Sequence, residues 1–337
     1  MTVMLAGRLN VKTRTFSLQD VPVPRPGPGQ VLVKVEAAGV CLSDAHLVEG
    51  GLTPLFLDGD TVTLGHEVAG TVAELGSGVT GWQPGARVLL QAGEKREGAV
   101  WTRGVDYDGG WAEYALASET TLVPIPDDLP FEQAAIIPDA VSTPWAAITT
   151  TAAVRPAQPV AVWGAGGLGV HAVQLLRMIG AAPVIAVDPL PEARDRALQL
   201  GADAAFDPAD PGLREKLLAE TGGGGLAVAF DFAGVPAVRE QAVTCLAPGG
   251  KLVLAGLTDK PLVITNGTHL SYFKQQILGH YGSTDQHIRE LVALVGRRRL
   301  EFSRSVTDVL PLAEAGQALE RLLRGEGPAP IRLVLIP

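Results

Sequence analysis

Val160-Ala161-Val162-Trp163-Gly164-Ala165-Gly166-Gly167-Leu168-Gly169 is the stretch on which the reading of the fold turns. Its four leading apolar residues read as a buried strand, its glycines as a tight turn, and Val170 to Ile179 as the following helix. The glycines at 164, 166 and 169 have GxGxxG spacing, and Val184-Ile185-Ala186-Val187 reads as a second strand that stops at Asp188, 19 residues beyond Gly169. A glycine turn could simply pack. A strand, such a turn, a helix and a strand ending in a carboxylate together describe a dinucleotide-binding unit. Gly164 permits the sharp turn, Gly166 lets the backbone approach a pyrophosphate, and Gly169 lets helix and strand pack closely. Gly167 and Leu168 complete the turn, and the free N–H groups of the helix N-terminus attract phosphate. Asp188 would accept hydrogen bonds from both hydroxyls of an adenosine ribose and repel a 2′-phosphate. The expected cofactor is therefore NAD(H) rather than NADP(H).

Outward from this unit the strand–helix alternation continues. The segment after Pro191 puts Ala193, Ala197 and Leu200 on one helix face. Leu226 to Phe230, a helix after Pro236, and Lys251 to Ala255 extend the pattern, with Gly222–Gly225 as a loop before a strand. Such alternation predicts an α/β, doubly wound parallel (Rossmann) sheet over residues 141–283. Residues 1–140 read differently. Pro22, Pro24, Pro26 and Pro28 make a rigid loop, Val31, Val33 and Val35 share one strand face, and Gly65 to Val72 and Arg87 to Leu90 read as further strands. Short strands at turn spacing predict a mainly β, barrel-like domain. Residues 284–337 are assigned to that same domain, with Ile288, Leu291, Val292 and Val295 on a helix face and Ile331 to Ile336 as a closing strand.

A chain of 337 residues needs more than one core. Lys and Arg total 27 against 36 Asp and Glu, a net charge of −9, which argues against nucleic-acid or anionic-membrane partners. Arg297-Arg298-Arg299 reads as a solvated helix end. Met1 to Thr15 carries charges at 8, 12 and 14 and has no apolar run of leader length, and two cysteines form no disulfide framework. A cytoplasmic location is the expectation.

Gly39-Val40-Cys41-Leu42-Ser43-Asp44-Ala45-His46 follows a strand, and Gly65-His66-Glu67 lies on the next stretch of the β domain. A thiolate and an imidazole suit zinc. On spacing alone, a lone cysteine and a lone histidine are more often packing residues. These motifs, the glycine turn and their order resemble the zinc-dependent alcohol dehydrogenases of the medium-chain dehydrogenase/reductase superfamily, over nearly the whole chain. The resemblance implies a GroES-like catalytic domain and one catalytic zinc held by Cys41, His66 and a third residue at the domain crossover. Many relatives have a cysteine there; here Asp139 of Ile137-Pro138-Asp139 takes its place, similar to bacterial secondary-alcohol dehydrogenases. It further implies that Glu67 approaches the metal, that Asp44 orients His66, and that Ser43 and His46 carry the proton away. Thr143 would lie beside the nicotinamide.

Leu52, Ala92, Trp111 and Trp145 are candidates for the substrate pocket, with core packing as the other reading. Leu42 and Ala193, with Arg194 one position on, stand where many relatives have cofactor-binding basic residues. Gln91 to Gly98 lacks the cysteines of the relatives' structural zinc lobe, so no structural zinc is expected. The expected function is transfer of hydride between a secondary alcohol or ketone and NAD(H), by a homodimer or homotetramer. A polyol or sugar-alcohol dehydrogenase, a zinc-free reductase of the same superfamily, and a catalytically silent binding protein are the alternatives.

Overall fold

In the computed structural model, which describes residues 2–324 and 329–337, the chain forms two compact units. One comprises Met1–Ser142 with Gly282–Pro337, and the other Thr143–Tyr281.

The second unit carries a six-stranded sheet in the order Ala204–Phe206, Val184–Val187, Val160–Trp163, Leu226–Asp231, Leu246–Leu254 and Gln276–Gly279, parallel at every pairing. Counted along the chain this is the order 3-2-1-4-5-6 of a dinucleotide-binding fold. Central parallel strands are covered on both faces, which explains why Val160 to Trp163 and Val184 to Val187 are apolar without alternation and wholly buried. The strand read as Lys251 to Ala255 begins earlier, at Leu246, and crosses an irregularity in register. Pro248-Gly249-Gly250 hid its first half from a reading by composition.

The first unit is built around the long strand Gln30–Val40. It pairs antiparallel with Val68–Leu75, Tyr114–Ser118 and Arg332–Ile336. Val31, Val33 and Val35 all face the core. Arg332–Ile336 pairs in parallel with Val306–Pro311, so the end of the chain is laid beside Val40 and the cysteine that follows it. Gly65-His66-Glu67 lies outside any strand: pairing resumes only at Val68. Gly65 has φ +94, and a Cβ there would come within 2.2 Å of Trp111. The turn that only glycine tolerates is what lifts His66 out of the ladder.

Candidate active site

Cys41 ends the Gln30–Val40 strand and caps the helix Leu42–Glu49, an element the sequence reading lacked. Asp44 fixes this corner: one carboxylate oxygen accepts the Cys41 N–H at 2.9 Å and the other the Gly65 N–H at 3.3 Å. The latter oxygen is also 3.5 Å from His66 Nδ1. Asp44 therefore anchors the Cys41 and Gly65 backbone and sets a negative charge beside the His66 ring.

Asp139 lies in a π-helical turn, Ile137–Val141. Its Oδ2 is 3.3 Å from Cys41 Sγ and 3.4 Å from His66 Nε2. With Glu67 these residues form a cluster whose donor atoms all lie within 4.8 Å of one another, the one such group of metal-capable side chains found among the described residues. Glu67 Oε2 is buried with no hydrogen-bond partner. A soft sulfur, an imidazole and carboxylate oxygens converging around an unsatisfied oxygen fit a zinc ion.

Arg332 was missed. It is 4% exposed, and its Nη2 lies 3.0 Å from Glu67 Oε1, 3.8 Å from Asp139 Oδ2 and 3.6 Å from Cys41 Sγ. Glu67 Oε1 also accepts the Ala140 N–H. Burial drives the Glu67 carboxyl up, and the Arg332 charge offsets part of that rise, leaving it at about 7. For His66 burial acts downward but is outweighed by the Asp44 charge and by hydrogen bonds to Asp139, Asp44 and Cys41, so its pKa is raised well above the usual value. Burial likewise opposes the Arg332 charge, and the surrounding anions win, raising its pKa. A lone arginine in the apolar run Ile331 to Ile336 was the available clue, because a charge inside a central strand needs buried partners.

Ser43 is half-buried with Oγ 3.7 Å from Cys41 Sγ, and His46 is half-buried one helical turn on. Leu52 is half-buried and its N–H bonds the His46 carbonyl; Ala92 is half-buried beside the Gly93–Arg96 strand. Trp111 requires correction as a pocket wall. It is 0% exposed, donates from Nε1 to the Gly39 carbonyl at 3.0 Å and packs edge-on against Phe16, which makes it a core residue. The segment expected to lack cysteines forms a hairpin, Gly93–Arg96 with Ala99–Thr102. There Arg96 pairs with Glu94 and lies over the rings of Trp101 and Tyr107.

In the other unit Gly164 has φ +87, and a Cβ at Gly169 would come 1.7 Å from the Gly164 carbonyl oxygen, so both glycines are obligatory. Gly166 is exposed and a Cβ there would meet nothing within 4 Å, leaving open space above the turn. Gly167 and Leu168 are half-buried, and Leu168 caps the helix Gly169–Met178. His171 Nδ1 lies 2.6 Å from the Gly167 carbonyl, so this histidine braces the turn. Asp188 accepts from Ala165 N–H at 2.7 Å and from Leu190 N–H at 2.9 Å. Arg194 bonds the Asp188 and Pro189 carbonyls and faces Asp207. Ala193 is buried, together with Ala197, on the helix Pro191–Gln199. Thr143 and Trp145 are buried at the start of this unit, and His280 Nε2 lies 3.0 Å from the Thr143 carbonyl oxygen.

These features define one unit with a metal-capable side-chain cluster and another with a dinucleotide-binding sheet. Comparison with known proteins then gives the family. The model described as zinc-binding dehydrogenase matches residues 167–297, and that described as alcohol dehydrogenase GroES-like domain matches residues 27–127. The NDMA-dependent alcohol dehydrogenase of Amycolatopsis methanolica is 31% identical over 95% of this chain and 96% of its own. The (R,R)-butanediol dehydrogenase of Bacillus subtilis is 30% identical over 73% of this chain and 76% of its own. A zinc-binding dehydrogenase from Sinorhizobium meliloti 1021, solved bound to NADP, superposes with a TM-score of 0.90 at 28% identity, covering 100% of both chains. The chain belongs to the zinc-type alcohol dehydrogenase family of medium-chain dehydrogenases/reductases. No helix among the described residues is long and apolar enough to cross a membrane.

Proposed function

We propose that the protein is a zinc- and NAD(H)-dependent dehydrogenase of small secondary alcohols and the matching ketones. The observation that carries the reading is the convergence of Cys41, His66, Glu67 and Asp139 within 4.8 Å. Cys41, His66 and Asp139 would hold the ion, with Glu67 as the carboxylate able to replace a departing substrate. Zinc bound there supplies a Lewis acid that lowers the pKa of an alcohol and polarises a ketone carbonyl. Ser43 Oγ would accept the alcohol proton as it passes its own on toward His46, which would release a proton to water. Asp44 keeps the His66 ring turned toward the ion. The Gly164–Gly169 turn receives the pyrophosphate of the cofactor, Asp188 its ribose hydroxyls, and Thr143 flanks the nicotinamide. Leu52 and Ala92 would contact the substrate.

The NADP in the Sinorhizobium relative favours a second reading of the cofactor. The Asp188 carboxylate opposes it, because a 2′-phosphate would meet a like charge. The butanediol dehydrogenase likeness favours a vicinal diol as the second substrate reading. One zinc per chain and a homodimer or homotetramer complete the proposal on the resemblance, and a cytoplasmic location and no nucleic-acid partner on the sequence reading and the net charge of −9.

The test is a panel of primary, secondary and polyhydric alcohols with NAD⁺ and NADP⁺, run on zinc-loaded and chelator-treated protein. Secondary alcohols with NAD⁺ should be turned over fastest, and only by the zinc-loaded form. Full activity after complete metal removal would sink the zinc reading, and a clear preference for polyols would sink the substrate reading.

A further inference from the structure

The turn Ile137–Val141 that carries Asp139 is wound in a wider register than the helices Phe131–Ala135 and Ser142–Ala146 on either side of it. In an α-helix the Ser142 N–H would bond the Pro138 carbonyl. Here it bonds the Ile137 and Asp139 carbonyls instead. The Pro138 carbonyl is taken by the Ser142 side chain, whose Oγ donates to it at 2.7 Å. Ser142 is 0% exposed, and its hydroxyl has a single hydrogen to give. The same oxygen accepts a second hydroxyl: Ser283 Oγ donates to Ser142 Oγ at 2.8 Å, across 141 residues of sequence. Ser283 is anchored in its turn. The next residue, Thr284, caps the helix Asp285–Gly296, with its N–H and its hydroxyl on His287 Nδ1 at 3.1 and 2.9 Å. That helix packs against the Ile137–Val141 turn.

The wide register matters at the cluster. Within this one turn Asp139 Oδ2 lies beside Cys41 Sγ and His66 Nε2, while the Ala140 N–H reaches Glu67 Oε1 at 3.2 Å. In an α register the Ala140 N–H would be taken up by the Ile136 carbonyl. We propose that Ser142 and Ser283 are positioning residues for the metal-binding carboxylate: their two hydroxyls, in series, hold the π register that aims Asp139 at Cys41 and His66. The inference rests on the zinc reading above and extends it to side chains outside the ligand set. Ser142 acts on the turn directly, and Ser283 acts only through Ser142. Loss of either hydroxyl leaves every ligand in the chain but lets the turn relax, and the effect falls on metal affinity.

The experiment titrates the zinc-free full chain with zinc in competition with a chromophoric chelator. Ser142→Ala should weaken zinc binding by about 10- to 100-fold, and Ser283→Ala by about three- to tenfold. The double variant should match Ser142→Ala within about twofold, because one hydroxyl acts through the other. Ser283→Thr keeps the donor and should bind zinc as the wild type does. In Asp139→Asn protein, Ser142→Ala should add less than about threefold, whereas a general loosening of the fold would carry over in full. Cobalt-substituted Ser142→Ala should show an altered visible spectrum, which reports ligand geometry without reference to turnover. Ser283 is half-buried, and its variants keep the inference testable if Ser142→Ala fails to fold. Unchanged zinc affinity in both alanine variants, or losses that add in full in the double variant or in Asp139→Asn protein, would overturn the inference and leave the zinc reading intact. A wild-type chain that binds no zinc would overturn the parent reading and this inference with it.

Discussion

Glu67 and Asp188 are both buried carboxylates, at 0% and 7% exposure. Asp188 has each oxygen bonded to a backbone N–H, from Ala165 in the glycine turn and from Leu190 just beyond it. Glu67 has one oxygen shared between Arg332 and the Ala140 N–H, and the other without a partner. The first is anchored by backbone dipoles that come with a strand–turn–helix unit. The second is held by a charge from the far end of the chain, among three other metal-capable groups. Backbone dipoles keep a carboxylate in place at little cost, whereas a desolvated charge cluster stores unfavourable energy that a divalent cation relieves. The catalytic unit therefore keeps its carboxylate incompletely satisfied, and the coenzyme unit does not.

The contrast breaks most sharply at the cluster. Asp139→Asn should lower zinc retention and alcohol turnover together, the latter by about 10³-fold, because several kcal/mol of charge stabilisation depend on the metal. Elemental analysis and steady-state rates on one preparation decide it; full zinc at an unchanged rate would remove Asp139 from the ligand set. Arg332→Met should cost about 3–5 kcal/mol of unfolding free energy at pH 8, since it strands buried carboxylates without their counter-charge. Urea unfolding of the zinc-free protein is the measurement, and a loss below about 1 kcal/mol would mean that the cluster does not depend on this cation.

A pH series sharpens the same comparison. Glu67 titrates near 7 in the folded protein against a usual 4.5, so between those values the folded chain holds a proton that the unfolded chain has lost. Stability of the zinc-free protein should then fall as pH rises from 4.5 to 7, by about 3 kcal/mol from this residue. His66, also raised, acts in the same direction: its contribution is present below its usual value and is lost as pH rises through the folded one. Glu67→Gln should flatten the urea-midpoint profile between pH 5 and 8; an unchanged slope would show that the Glu67 proton is not the cause. At Asp188 the expected effect is the smallest. Asp188→Gly should shrink the NAD⁺ over NADP⁺ preference in kcat/KM by about tenfold, near 1.4 kcal/mol, through removal of a charge that faces the 2′ position. A ratio left unaltered would reassign Asp188 to bracing the turn alone.

Sequence determined most where a feature is local. Val160 to Asp188 could be read as strand, turn, helix and strand because each residue's role depends on neighbours within one βα unit, and the glycines at 164 and 169 tolerate no side chain. Cys41 and His66 were readable from motif, although the helix that Cys41 caps and the turn that frees His66 from its strand were not. Asp139 was expected beside them from the resemblance, 98 residues from Cys41, whereas tertiary structure alone brought Arg332 there, across a separation of 291 residues. It also turned Trp111 into a core residue. Spacing along a chain encodes hydrogen bonds within a turn or a helix. It does not encode which distant strand is laid beside which, and at the metal cluster that pairing, Leu333 opposite Val40, sets the charge.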